Sequence, residues 1–342
     1  MITVENLHKE YQLVKRDPGL KGAVKSLFHR KYEIKQAVKG VNFSIEQGET
    51  VGYIGANGAG KSTTIKMLTG ILTPTSGKVT VNGLVPYENR QKNAKNIGAV
   101  FGQRTQLFWD IPVRESFNLL KHIYEIPKDQ YQDTLQTFTE VLNLEPLLGI
   151  PVRQLSLGQK MRCELAAAFL HRPSVVYLDE PTIGLDIAVK VKIRKFIKEM
   201  NERWGTTVLL TTHDMQDIEE ICDRIIIIDE GTIVYDGGLE AIKHQFGQKR
   251  VIHFELSEET PFELPQSLKG RVEMLPNSED DTKVSLAFDD EQVKSSLVIS
   301  EMLNVYEIQD LAIADPKIET IVEQLYNKQE QEGEHGKVLA NS

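Results

Sequence analysis

Only two cysteines, Cys163 and Cys222, occur among the 342 residues, and 59 positions separate them. Such spacing offers neither a disulfide framework nor a cysteine-based zinc site, and it predicts a reducing compartment. Long hydrophobic runs are also missing. None approaches the ~18 residues that cross a bilayer, and the longest are stretches such as the four isoleucines at 225–228. If the protein works on a membrane, another chain crosses it. Positive charge is not in excess either. Forty Lys and Arg against 49 Asp and Glu leave a net charge of -9, which argues against a general nucleic-acid binder. No internal repeat is present.

The length predicts about two domains. Acidity is unevenly spread: residues 241–342 hold 10 basic and 20 acidic side chains, whereas 1–240 hold 30 and 29. The shift places a boundary near 240. Before it, short apolar runs alternate with helical stretches, the pattern of an α/β domain whose parallel sheet lies between helices. After it come strand-like runs at 250–256, 270–276 and 283–289, a helix-like stretch at 291–303, a strand-like run at 305–313 and an apolar-periodic helix from Ile318 to Tyr326. A small α+β domain over 241–328 is expected. The remainder, 329–342, is polar and lacks aromatics, so disorder is expected there.

The string GANGAGKST at 55–63 follows the strand-like TVGYI and precedes the helix-like IKMLTGIL. That is G-x-x-x-x-G-K-[ST] in the strand-to-helix context a P-loop requires. Glycines 55, 58 and 60 let the backbone curl with its N–H groups inward, a nest for phosphate oxygens at the positive start of a helix. Lys61 is placed to reach the β- and γ-phosphates and Ser62 to hold Mg²⁺.

A second apolar run, SVVYL, ends in the adjacent carboxylates Asp179 and Glu180. Alone, such a pair after a strand is an ordinary solvated turn. Coupled to a P-loop, Asp179 fits a Mg²⁺ partner and Glu180 the group that polarises the attacking water. Two further apolar runs deliver Gln103 (IGAVFGQ) and His213 (TTVLLTTH) just past their ends. In a parallel α/β sheet, ligands bind outside the carboxyl ends of the strands, so Lys61, Gln103, Asp179, Glu180 and His213 can converge on one nucleotide.

LSLGQ at 155–159 opens a helix-like stretch about twenty residues before the carboxylate pair. Ser156 at its N-cap region and Gly158 near its start form a second anion site. With these elements in this order, residues 1 to about 240 resemble the ATP-binding cassette (ABC) family. The resemblance implies a P-loop NTPase fold: a RecA-like parallel sheet, an antiparallel β part and a helical subdomain at about 112–165. It also implies ATP and Mg²⁺ as ligands. GANGAGKS is similar to the family's Walker A, so Gly55, Asn57, Gly58, Ala59, Gly60, Lys61, Ser62 and Thr63 are expected on the nucleotide. Gln103 is similar to the Q-loop glutamine, a further Mg²⁺ contact beside Ser62 and Asp179. Glu180 and His213 resemble the Walker B glutamate and the switch histidine, and Asp186 belongs to a D-loop-like GLD. Tyr11 best matches the aromatic that stacks on adenine, with His8 or Tyr32 as fallbacks. The signature departs from LSGGQ at Leu157 but keeps Ser156, Gly158 and Gln159.

In that family two cassettes face head to tail, so the resemblance implies a second ATPase subunit, expected as a homodimer, with Ser156–Gln159 acting on the partner's nucleotide. Integral membrane permease subunits and a place on the cytoplasmic face of the membrane follow from it. The chain looks like cassettes of the drug- and polysaccharide-export branch. A rival reading is a soluble cassette ATPase acting on the ribosome or nucleic acid. Such cassettes carry two motif sets or a long coiled-coil insertion, neither of which is present, and no nucleic acid is expected.

Between Tyr11 and the expected strand AVKGVNFSI lies an insertion. Its residues 15–35 carry seven Lys and Arg against Asp17 and Glu33, with Leu20, Ala23, Val24, Leu27 and Phe28 at helical spacing. A basic amphipathic helix is expected, packed either on its own domain or against the permease or anionic leaflet.

Overall fold

In chain order the strands of the first part of the molecule are β1 (Ile2–Lys15), β2 (Lys31–Ile45), β3 (Thr50–Ile54), β4 (Ser76–Val81), β5 (Ile97–Phe101), β6 (Val175–Asp179), β7 (Thr207–Thr211), β8 (Arg224–Asp229) and β9 (Thr232–Gly238). Between them run helices α1 (Lys61–Leu68), α2 (Arg90–Asn96), α3 (Val113–Ile123), α4 (Lys128–Leu142), α5 (Leu157–Phe169), α6 (Ile187–Trp204) and α7 (Met215–Ile221). The computed structural model describes residues 1–15, 31–102, 104–246, 250–258, 262–275, 282–289, 292–314, 318–322 and 325. The chain divides into two compact units, Met1–Gly237 and Gly238–Ser342.

A six-stranded sheet in the order β5-β6-β7-β3-β8-β9 centres the first unit, and β5, β6, β7, β3 and β8 are mutually parallel. Near-continuous apolar runs make these strands because both faces of such a sheet are covered. All five residues of β3 and of β7 are buried. The polypeptide approaches the sheet closely: a Cβ added to Gly98 of β5 would stand 2.3 Å from the carbonyl oxygen of Ala168 in α5. Phe196 of α6 meets Phe138 of α4 and Phe169 of α5 edge-on, with centroids 5.1 and 5.2 Å apart. The expected helical subdomain holds α3, α4 and the first half of α5.

A separate three-stranded antiparallel sheet has the order β2-β1-β4. Here the structure corrects one expectation. The strand after the insertion begins at Lys31, six residues before AVKGVNFSI, and pairs Lys31–Lys35 with Tyr11–Lys15 in regular register. Tyr32 and Ile34 alternate with Lys31, Glu33 and Lys35, a period of two that a strand accommodates. The ends of the insertion are therefore a β-ribbon. The expected helical stripe from Leu20 to Phe28 lies outside the described residues.

The second unit contains α8 (Leu239–Phe246), β10 (Arg250–Leu256), β11 (Val272–Met274), β12 (Lys283–Phe288), α9 (Ser295–Val305) and β13 (Ile308–Ala314). Its four strands form an antiparallel sheet in the order β11-β12-β10-β13. Ile252, Phe254, Leu286 and Phe288 point to one side at strand spacing, and Val298 and Met302, one turn apart on α9, complete that core. Residues 318–322 are helical, with Ile318, Ile321 and Val322 buried. The expected disordered tail, 329–342, lies outside the described residues. No helix among the described residues is long and apolar enough to cross a membrane.

Candidate active site

The loop between β3 and α1 turns through Gly58 (φ +88°) and Gly60 (φ +114°), both in the left-handed region. A Cβ at Gly60 would also fall 2.5 Å from the Ala37 carbonyl oxygen, so the turn admits only glycine there. Lys61 begins α1 and folds back, its Nζ donating to the carbonyl oxygens of Gly55 (2.6 Å) and Ala56 (3.2 Å). Burial lowers the Lys61 pKa, and the charges of Glu180 and Asp179 oppose that shift.

Adjacent parallel strands bring the acidic groups to this loop. Asp179 ends β6 and accepts from Ser62 Oγ at 3.1 Å and from Thr211 Oγ1, at the end of β7, at 2.6 Å. Glu180 has φ +56° and donates its backbone N–H to the Thr211 carbonyl at 2.9 Å. His213 Nε2 lies 2.8 Å from Glu180 Oε1. An ionised carboxylate only accepts, so Nε2 is the protonated nitrogen in this contact.

Two cavities flank these residues. One of about 290 Å³ is walled by the loop from Ala56 to Thr63 together with Tyr11, Lys35 and Glu180. Another of about 530 Å³ is walled by Ser62, Phe101, Arg104, Asp179 and Glu180, among others. Ser62 and Glu180 line both. Tyr11 faces the first cavity, whereas His8 contacts Asn6 Oδ1 at 3.1 Å and Tyr32 is more than half exposed. Gln103 lies outside the described residues.

Ser156 and Gln159 form a capping box at the start of α5: Ser156 Oγ accepts from the Gln159 N–H and Gln159 Oε1 from the Ser156 N–H. The signature residues are brought to the D-loop rather than to the P-loop cavities. A Cβ on Gly184 would stand 3.4 Å from Leu157 Cδ2, and one on Gly158 would stand 3.2 Å from Val189 Cγ2. Asp186 caps α6 by accepting from the Val189 N–H at 2.9 Å. Leu157, Ile183, Ile187 and Val191 are all at least half exposed, Ile187 at 81%.

Two contributors are absent from the sequence reading above. Lys35 reaches the P-loop cavity because it sits across from Tyr11 in the prolonged ribbon. Thr211 contacts Asp179 because β6 and β7 are neighbours. The alternating Tyr32–Lys35 string was the signal for the first; nothing local marks the second.

A P-loop between a parallel strand and a helix, with a carboxylate pair and a histidine at neighbouring strand ends, defines a nucleotide-binding P-loop fold. The chain belongs to the ABC transporter family: that family's description matches residues 38–183. Similar relatives include the ABC transporter ATP-binding protein NatA of Bacillus subtilis, 30% identical over 63% of this chain and 87% of the relative. The linearmycin resistance ATP-binding protein LnrL of the same organism is 33% identical over 66% and 72%. Among solved structures, the dimeric post-hydrolysis state of the ATP-binding cassette MJ0796 with ADP and Pi superposes with a TM-score of 0.58 at 28% identity, covering 70% of this chain and 99% of that one.

Proposed function

We propose that this chain is the ATP-hydrolysing subunit of a membrane exporter, working as a pair of cassettes on a separately encoded permease at the cytoplasmic face of the membrane. The observation that carries this reading is the convergence of Lys61, Ser62, Asp179, Glu180 and His213 at one end of the parallel sheet.

Each side chain has a task that its chemistry supports. Lys61 exchanges its carbonyl partners for β- and γ-phosphate oxygens, while the N–H groups of the loop take the remaining phosphate charge. Tyr11 supplies a flat apolar wall for the base. Ser62 Oγ and Asp179 are hard oxygen donors already drawn together, which fits Mg²⁺ bound by few protein groups and completed by phosphate and water. The ion neutralises phosphate charge when bound. Glu180 accepts a hydrogen bond from the attacking water, and His213 fixes the carboxylate that does so.

Dimerisation is supported by the position of the signature beside the D-loop, with Leu157, Ile183, Ile187 and Val191 exposed around it. A second copy covers this surface and receives the Ser156 hydroxyl at its own P-loop. Export is supported by the antibiotic-resistance relative. Exposed Phe108 and Trp109 just before the helical subdomain, and Leu119 and Ile123 within it, offer the permease apolar contacts. The decisive experiment is gel filtration and detergent co-purification of Glu180→Gln with ATP. A nucleotide-dependent dimer that retains an integral membrane protein supports the reading. A monomer at saturating ATP, or RNA- or DNA-stimulated ATPase activity in the unmutated protein, overturns it.

A further inference from the structure

Beneath the site lies a charged cluster that ordinary core packing does not explain. Arg194, in the middle of α6, is 3% exposed, and Asp217 of α7 is fully buried. Arg194 donates through Nε to Asp217 Oδ1 at 2.6 Å, through one terminal nitrogen to Glu220 at 3.0 Å and through the other to Asp214 at 3.2 Å. Lys190 adds a second bond to Asp214 at 2.7 Å. The other oxygen of Asp217, Oδ2, accepts from two hydroxyls: Thr212 Oγ1 at 2.9 Å and Thr182 Oγ1. Both threonines are at most 3% exposed.

The two threonines are not scattered. Thr182 lies two residues after Glu180, on the way to Asp186, and Thr212 immediately precedes His213. One carboxylate oxygen therefore ties the segment leaving β6 to the segment leaving β7. Its other oxygen is held by an arginine on the helix that Asp186 caps. A buried ion pair adds little to stability compared with well-packed apolar residues, so its retention calls for another reason.

We propose that Asp217, clamped by Arg194, is a positioning residue: it sets the offset between the Glu180 and His213 loops through Thr182 and Thr212. The proposal rests on the assignment of Glu180 and His213 above. A displacement of about 1 Å at a catalytic group costs on the order of 100-fold in rate. The clamp acts on turnover and leaves the P-loop, and with it nucleotide affinity, largely untouched.

The test uses the full chain with both threonines changed, Thr182→Val with Thr212→Val, against Thr182→Ser with Thr212→Ser, which keep the hydroxyls. Measured with ATP, the valine pair should lower kcat by about 10- to 100-fold. Its affinity for fluorescent methylanthraniloyl-ATP should stay within roughly threefold, and the serine pair should recover most of the rate. Wild-type kcat in the valine pair, an equal loss of rate and affinity, or no recovery with serine overturns the proposal. If the valine pair fails to give a cooperative melting curve, the two single valine variants are judged by the same criteria. Glu180→Gln is run alongside. Normal turnover in that variant refutes the site assignment itself, whereas a dead Glu180→Gln beside a fully active valine pair refutes only the clamp.

Discussion

Both units of this molecule mix helices with strands, yet among the described residues only the first gathers a candidate site. In Met1–Gly237 the parallel strands all release their chains at the same end, so Lys61, Asp179, Glu180 and His213 meet although 152 positions of sequence separate the first from the last. In Gly238–Ser342 neighbouring strands of the sheet are antiparallel, so their carboxyl ends alternate between its two edges. His253 there contacts Ser285 Oγ at 2.8 Å between two neighbouring strands, a local pair. Strand direction, more than composition, decides where a site can form.

The sharpest way to break this contrast is Glu180→Gln. It should lower kcat by about 10²- to 10⁴-fold while the melting temperature and ATP binding persist; steady-state phosphate release and a thermal melt measure both. Phe254→Ala tests the other side. It removes a buried ring from the second unit's core and should destabilise that unit by about 3–5 kcal/mol. If the units are as independent as their chemistry, methylanthraniloyl-ATP affinity is unchanged in the same variant, and a large loss of affinity joins the two after all.

A third effect belongs to the first unit. His171 is half-buried, stacks on Tyr124 with centroids 3.9 Å apart, and contacts the Ile97 carbonyl oxygen at 3.0 Å. Burial pushes its pKa down from 6.5 to about 4. Between those values the unfolded chain binds the proton and the native one does not, so stability falls as the pH drops from 6.5 toward 4 and levels below that. The loss should reach up to about 3 kcal/mol. His171→Phe keeps a stacking ring and should flatten this stretch of the stability curve, read by denaturant melts at pH 7 and pH 4. A curve as steep as wild type assigns the dependence elsewhere. The smallest effect is that of Ser156→Ala, which removes an N-cap and should cost about 1 kcal/mol in the same melts.

Much of the candidate site was legible because its residues come in short strings beside apolar runs. GANGAGKST, VVYLDE and TTH each fix a residue to the end of a strand, and the parallel arrangement does the rest. The clamp was not legible. Asp217 is 35 positions from Thr182 and 23 from Arg194, and in the string MQDIEE it reads as one more solvated acid on a helix. Glu164 was equally hidden. It sits among the alanines of α5 and is 3% exposed, with its carboxyl accepting from Thr105 and from the Gln106 N–H, and burial pushes its pKa up. Buried polar partners are chosen by register and packing across the fold, which local periodicity does not encode. The ribbon was misjudged for a different reason: Tyr32–Lys35 is too short to outweigh the basic segment before it.

A hydroxyl carries two lone pairs and one hydrogen, and the cap on α5 draws on a lone pair alone. The hydrogen of the Ser156 hydroxyl is not spent on holding the helix, so under the proposed function the group that steadies α5 can also donate to a phosphate oxygen. Ser156→Asp separates the two duties: an aspartate serves the helix as well as serine does, but brings a negative charge where the proposed function places a phosphate.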